Sequence, residues 1–182
     1  MKKRRHFPIV LVISFFIAGG GCGSPPTEEL MQAEAALQAA KAEGAEDFVP
    51  NDFKAAAAAL SDAKSKTESK DYEAALEAAL DAKQKADMAK AKIGPEKLKM
   101  RGEIETTLVM VSDEWAALMS QAKKRRVKRK TKQMVDATRE GFAALITDVQ
   151  TKKEAEDYMG AMQSLKEARS TVSEVKSILE GK

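Results

Sequence analysis

Residues 71–93 read DYEAALEAALDAKQKADMAKAKI. The apolar positions in this stretch are Tyr72, Ala75, Ala79, Ala82, Ala86, Ala89 and Ile93, separated by alternating steps of three and four. That is the a/d repeat of helices in lengthwise contact, with alanine where leucine is usual. A half-buried strand would instead alternate every second residue, and no sustained alternation occurs anywhere in the chain. Asp71 supplies an N-cap immediately before the repeat. Gly94-Pro95 immediately after it predicts a stop and a fresh helix start. The rest of the chain is similarly rich in Ala, Glu, Lys, Gln and Leu, all strong helix formers, so the expected fold is all-α.

Toward the N-terminus, a helix is expected from about Thr27 to Glu43. Thr27 is its predicted cap, Leu30, Ala33, Leu37 and Ala40 form its apolar stripe, and Gly44 closes it. A loop through Val49-Pro50 leads to a second helix near Asn51-Asp52, burying Phe53, Ala56, Leu60 and Ala63. The polar run Lys64 to Lys70 is expected to end it. Toward the C-terminus, Ile104, Leu108, Val111, Trp115, Leu118 and Ala122 mark a helix starting at Pro95. Met134, Phe142, Leu145, Ile146 and Val149 mark the next. Ala161, Leu165, Ala168, Val172, Val175 and Leu179 mark the last, which starts near Asp157. A turn is expected across the basic run at 123–132, because the stripe loses phase there. The expected architecture is two consecutive antiparallel three-helix units, 27–93 and 95–182. Trp115 reads as core, and the second unit, with its larger side chains, should supply most of the buried surface.

The halves share a pattern at an offset of 86 residues. Its sharpest element is Asp71-Tyr72-Glu73-Ala74-Ala75 against Asp157-Tyr158-Met159-Gly160-Ala161. Asp71 and Asp157 are expected to cap helices, with Tyr72 and Tyr158 packing back over the preceding hairpin. Internal duplication and chance similarity between alanine-rich helices both account for such matches.

The N-terminal segment is of another kind. Lys2 to Arg5 form a basic region, Ile9 to Ala18 an apolar one, and Gly19-Gly20-Gly21 leads to Cys22, the single cysteine of the chain. This layout is that of a secretory leader over 1–21, and it resembles the lipobox of bacterial lipoproteins. The resemblance implies cleavage before Cys22, lipidation of its thiol and a membrane anchor. The stretch 22–26, with Ser24-Pro25-Pro26, would then be a stiff tether. The absence of Asp after Cys22 points to the outer membrane, facing the periplasm. The alternative is an ordinary leader that leaves Cys22 a free thiol. A spanning anchor is disfavoured, because the apolar stretch falls well short of the roughly 20 residues required.

Removing the leader changes the chemistry available. Of the 31 basic residues four lie in it, leaving 27 against 28 acidic ones, so the basic balance of the whole chain is no argument for nucleic acid. His6, the single histidine, leaves as well. With Cys22 lipidated, no thiol or imidazole remains for a nucleophile pair, a zinc site or a haem. No Gly-rich phosphate loop is present. The chain therefore reads as non-catalytic, with no cofactor and no metal. Its one distinctive surface is the basic cluster Lys123, Lys124, Arg125, Arg126, Lys128, Arg129, Lys130 and Lys132. The cluster lacks the aromatic side chains that stack bases, which argues against single-stranded nucleic acid. It suits an anionic envelope component such as lipid headgroups, lipopolysaccharide or a cell-wall polymer. A solvated hairpin tip is the plainer reading. The helical stripes also suit an envelope protein partner, or self-association into a homo-oligomer.

Cys22, Ala33 through Ala40, Gly44-Ala45, Val49-Pro50, Leu60, Ala63, Asp71-Tyr72, Ala75, Ala79, Ala82 and Ala86 together resemble a family of Ala-rich bacterial envelope lipoproteins of unknown function. In that family the domain often stands ahead of an OmpA-like peptidoglycan-binding domain. The resemblance covers residues 22 to about 93 and implies an envelope location without a mechanism. Residues 95–182 depart from the pattern, being helical again.

Overall fold

The computed structural model describes residues 23–124 and 128–180, nearly all of them helical. Among the described residues there are six helices: α1 (Thr27–Ala42), α2 (Ala45–Phe48), α3 (Pro50–Glu68), α4 (Tyr72–Lys124), α5 (Arg129–Glu154) and α6 (Tyr158–Glu180). The all-α expectation is correct; α4 ends at Lys124 and α5 begins at Arg129, and residues 125–127, within the stretch where a turn was expected, lie outside the described residues.

The break expected at Gly94-Pro95 does not occur: α4 runs through Pro95 for 53 residues. At a rise of 1.5 Å per residue, it is about 80 Å long. Proline interrupts a helix by removing one N–H and crowding the carbonyl four residues back, here that of Ala91. Ala91, Gly94 and Pro95 all lie on the exposed face, where water reaches the orphaned carbonyl. On the opposite face Ile93 and Ile104 are buried and hold the helix to its neighbours. The lost hydrogen bond is thus placed where it costs least.

The two halves of α4 serve different partners. Its first half packs on α1 and α3, and its second half packs on α6, which in turn pairs with α5. The first group has an alanine core. Ala40, Ala63, Ala75, Ala79, Ala86 and Ala89 are fully buried, with Leu60 and Ile93 the largest side chains. The second group buries Ile104, Val111, Val149, Leu165 and Val175 almost completely, and it stacks Trp115 on Phe142 with centroids 4.1 Å apart. Trp115 is half-buried against that core. Met134, expected inside, is exposed, and Val135 takes the buried position instead.

Local signals explain most boundaries. Gly44 ends α1 at φ 95°, a conformation that needs glycine. Pro50 is the first residue of α3, where its missing N–H costs nothing. The expected cap at Thr27 is not used: Thr27 is itself helical, and the Pro26 carbonyl accepts the Leu30 N–H at 3.0 Å. α3 ends at Glu68, inside the polar run Lys64 to Lys70 as expected, and Lys66 pairs with Asp62 one turn back at 2.7 Å.

The turns before α4 and α6 are built alike. Lys70 (φ 62°) and Glu156 (φ 58°) take the left-handed conformation. The Asp71 N–H reaches the Lys66 carbonyl, and the Asp157 N–H reaches that of Lys152, both at 2.9 Å. This is the closing geometry of a Schellman turn. Buried positions also correspond at the offset of 86: Ala56 with Phe142, Ala63 with Val149, Ala79 with Leu165, and Ala89 with Val175.

Candidate functional site

The molecule has two ends and a joint, and the residues singled out by sequence distribute among them. Cys22 lies outside the described residues. Gly23 begins them, and a Cβ placed on it would sit 3.5 Å from the Tyr72 Cβ. The tether therefore starts against the first residue of α4, with Pro26 buried beneath it. Tyr72 is half-buried here, and Asp71 caps α4 through the Ala74 N–H at 3.4 Å.

Asp157 caps α6 through the Gly160 N–H at 2.9 Å. Tyr158 does more than pack over its own hairpin. It is buried and meets Phe48 of α2 edge-on, with centroids 6.4 Å apart. The Lys97 ammonium lies 5.1 Å from the Phe48 ring centroid and 4.0 Å from the Glu156 carboxylate. Phe48, Lys97 and Tyr158 thus form the joint where the two helix groups meet, midway along α4. Sequence reading missed it, because Phe48 sits in a loop-like segment with no periodic partner.

A polar network supports the second hairpin. Ser164 is buried, and its hydroxyl donates to Asp148 Oδ2 at 2.5 Å. Lys152 Nζ donates to Asp148 at 2.7 Å and to Ser164 Oγ at 2.9 Å. The bond from Lys152, then that from Ser164, holds the Asp148 carboxyl below its usual range. The bond to Asp148 raises Lys152 in turn, keeping it protonated. Through the shared Asp148 carboxylate the trio braces the second hairpin, tying α5 to α6. Asp148 and Lys152 occupy the offset counterparts of Asp62 and Lys66, a match already present in the sequence.

The basic cluster lies at the other end of α4. Lys123 and Lys124 close that helix, while Lys128, Arg129, Lys130 and Lys132 open α5, and all six are exposed. Arg125 and Arg126 lie outside the described residues. Many lysines and arginines elsewhere pair with carboxylates, as Lys64 does with Glu34 and Lys90 with Glu43. Among the described residues, none of these six is in an ion pair. The α5 start has neither a side-chain cap bond nor an acidic residue in its first turn. Cations there oppose the helix dipole, so this choice of residues does not serve local stability.

The remaining surface offers little chemistry. A shallow groove between α4 and α6 is lined by Thr107, Met159, Met162, Leu165 and Arg169 among others, with no carboxylate. Among the described residues no cluster of His, Cys, Asp or Glu could hold a metal ion. Among them, too, no helix is long and apolar enough to cross a membrane.

Fold and surface define an elongated all-α protein with distinct ends. Residues 28–100 match a family described as a domain of unknown function (DUF4398). The matched stretch takes in most of α1, all of α2 and α3 and the first part of α4, so it ends inside the long helix just past the joint. No curated protein and no solved structure matches the chain.

Proposed function

We propose that this chain is a lipid-anchored envelope protein, held at Cys22 in the outer membrane and facing the periplasm, and that it acts as a non-catalytic structural or interaction protein. The carrying observation is the leader that ends in Gly19-Gly20-Gly21 before Cys22, the single cysteine. The start of the described chain at one end of the long helix suits an anchor there, because the rod then projects from the membrane. The resemblance of residues 22–93 to Ala-rich envelope lipoproteins supports the same reading. The shared buried register of the two helix groups supports an internal duplication.

The test is intact mass and membrane fractionation of the expressed protein beside Cys22→Ser. A mature mass starting at Cys22 with added acyl chains, lost together with membrane association in the variant, is the expected result. A soluble, unacylated product from both would overturn the anchor.

A second reading gives the basic cluster a ligand, an anionic envelope component. Six exposed cations without ion pairs, gathered at the end of α4 and the start of α5, favour it over a merely solvated tip.

A further inference from the structure

Met159, Met162, Lys166 and Arg169 follow one another on α6 at steps of three, four and three, so they share one side of that helix. Met159 is 50% and Met162 37% exposed, although both side chains are apolar. All four residues line the groove between α4 and α6, together with the buried Leu165 and with Thr107 of α4. Past Thr107 and Met162 the groove continues into a second part, lined also by Lys99 and Glu103. From Met159 to Arg169 it follows about 15 Å of α6. Its charge is uneven. Lys166 and Arg169 have no carboxylate in their part of the groove, and among the described residues neither is in an ion pair. The second part carries one charge of each sign, Lys99 and Glu103, so the excess of cations falls at Lys166 and Arg169.

We propose that this groove is the docking site for an acidic amphipathic helix of a partner protein, laid lengthwise between α4 and α6. The proposal rests on the reading of the chain as an interaction protein. Two features choose the occupant. The first is that the groove is shallow and open to solvent. An alkyl chain seated there would keep much of its surface in water, whereas small-ligand sites bury most of their ligand. An amphipathic helix suits an open seat, because its outward face is polar and stays wet. Methionine suits the inward face, because its unbranched, polarizable side chain re-packs around whatever apolar anchors it meets. The second feature is charge. Lys166 and Arg169 complement carboxylates along the flank of the incoming helix, and they repel a basic one.

The test uses the chain from Cys22 onward, which contains every described helix, carrying isotope-labelled methionine methyl groups for NMR. The probe is a peptide of about five helical turns, with leucines spaced i, i+3, i+4 and i+7 and glutamate and alanine elsewhere. The expected result is movement of the Met159 and Met162 signals, with those of Met31 and Met88 unmoved. The variant K166E/R169E should weaken binding by roughly ten-fold and should prefer the same peptide with lysine in place of glutamate. The variant M159Q/M162Q should lose binding while its circular dichroism stays that of the parent, because both side chains are exposed. No movement of the two signals at millimolar peptide would overturn the proposal, as would equal binding of the glutamate and lysine peptides by the parent chain. A dimer in sedimentation whose formation moves the same two signals without peptide would overturn it in favour of a second copy. Movement with a fatty acid and none with peptide would assign the groove to an acyl chain and sink it as well. None of these results depends on lipidation. The mass and fractionation of the Cys22→Ser pair read the anchor separately, so a failed docking and a failed anchor are told apart.

Discussion

Asp71 and Asp157 do the same job with different success, and the cause is three residues downstream. The bond from Gly160 N–H to Asp157 is 2.9 Å, and that from Ala74 N–H to Asp71 is 3.4 Å. A Cβ on Gly160 would lie 2.1 Å from Asp157 Oδ2, so the carboxylate closes onto space that only glycine leaves. In the first hairpin the Ala74 methyl occupies that space and the cap is longer. Gly160→Ala should therefore fail to deliver the 0.5–1 kcal/mol or so that alanine usually gains over glycine inside a helix. It should instead lose most of the Asp157 cap, worth about 1 kcal/mol. In an Asp157→Ala background the same substitution should stabilise. A double-mutant cycle by urea denaturation reads this coupling, and additive effects would show that the cap is insensitive to the methyl group.

At the scale of the element, α4 decides the shape of the molecule. Gly94 and Pro95 look like punctuation, and in most sequences they would be. Here the interruption falls on the solvent side, while Ile93 and Ile104 grip separate helix groups on the other. Pro95→Ala should restore one hydrogen bond and relieve the ring clash, raising stability by about 1–3 kcal/mol. Thermal unfolding followed by circular dichroism checks this. A destabilised variant would mean that Pro95 itself is needed to seat Phe48 and Tyr158 at the joint.

At the scale of the whole molecule, the two groups of helices lie along one axis. A compact domain of this length would have a radius of gyration of about 16 Å. A rod as long as α4 alone, about 80 Å, has one of about 23 Å. Small-angle scattering from the chain starting at Cys22 should give the larger value and a maximum dimension of at least about 80 Å. A value near 16 Å would mean that α4 folds back at Gly94-Pro95. Extension matters for function, because it sets how far the basic end stands from the tether.

Helices, their buried stripes and the Asp caps were legible in the chain, because helical spacing and capping are local and the alanine repeat leaves one face to bury. The basic run was legible as well, since charge needs no fold to be counted. The joint at Phe48, Lys97 and Tyr158 was not, because it brings together residues far apart in the chain with no shared period. Nor was the continuity of α4, because local rules count the hydrogen bond that proline removes but not the face on which the loss falls. The sequence by itself thus determined an all-α chain, its stripes and its basic run. Tertiary structure alone decided that the tether and the cations stand at opposite ends, because packing on both sides of Pro95 keeps one helix unbroken between them.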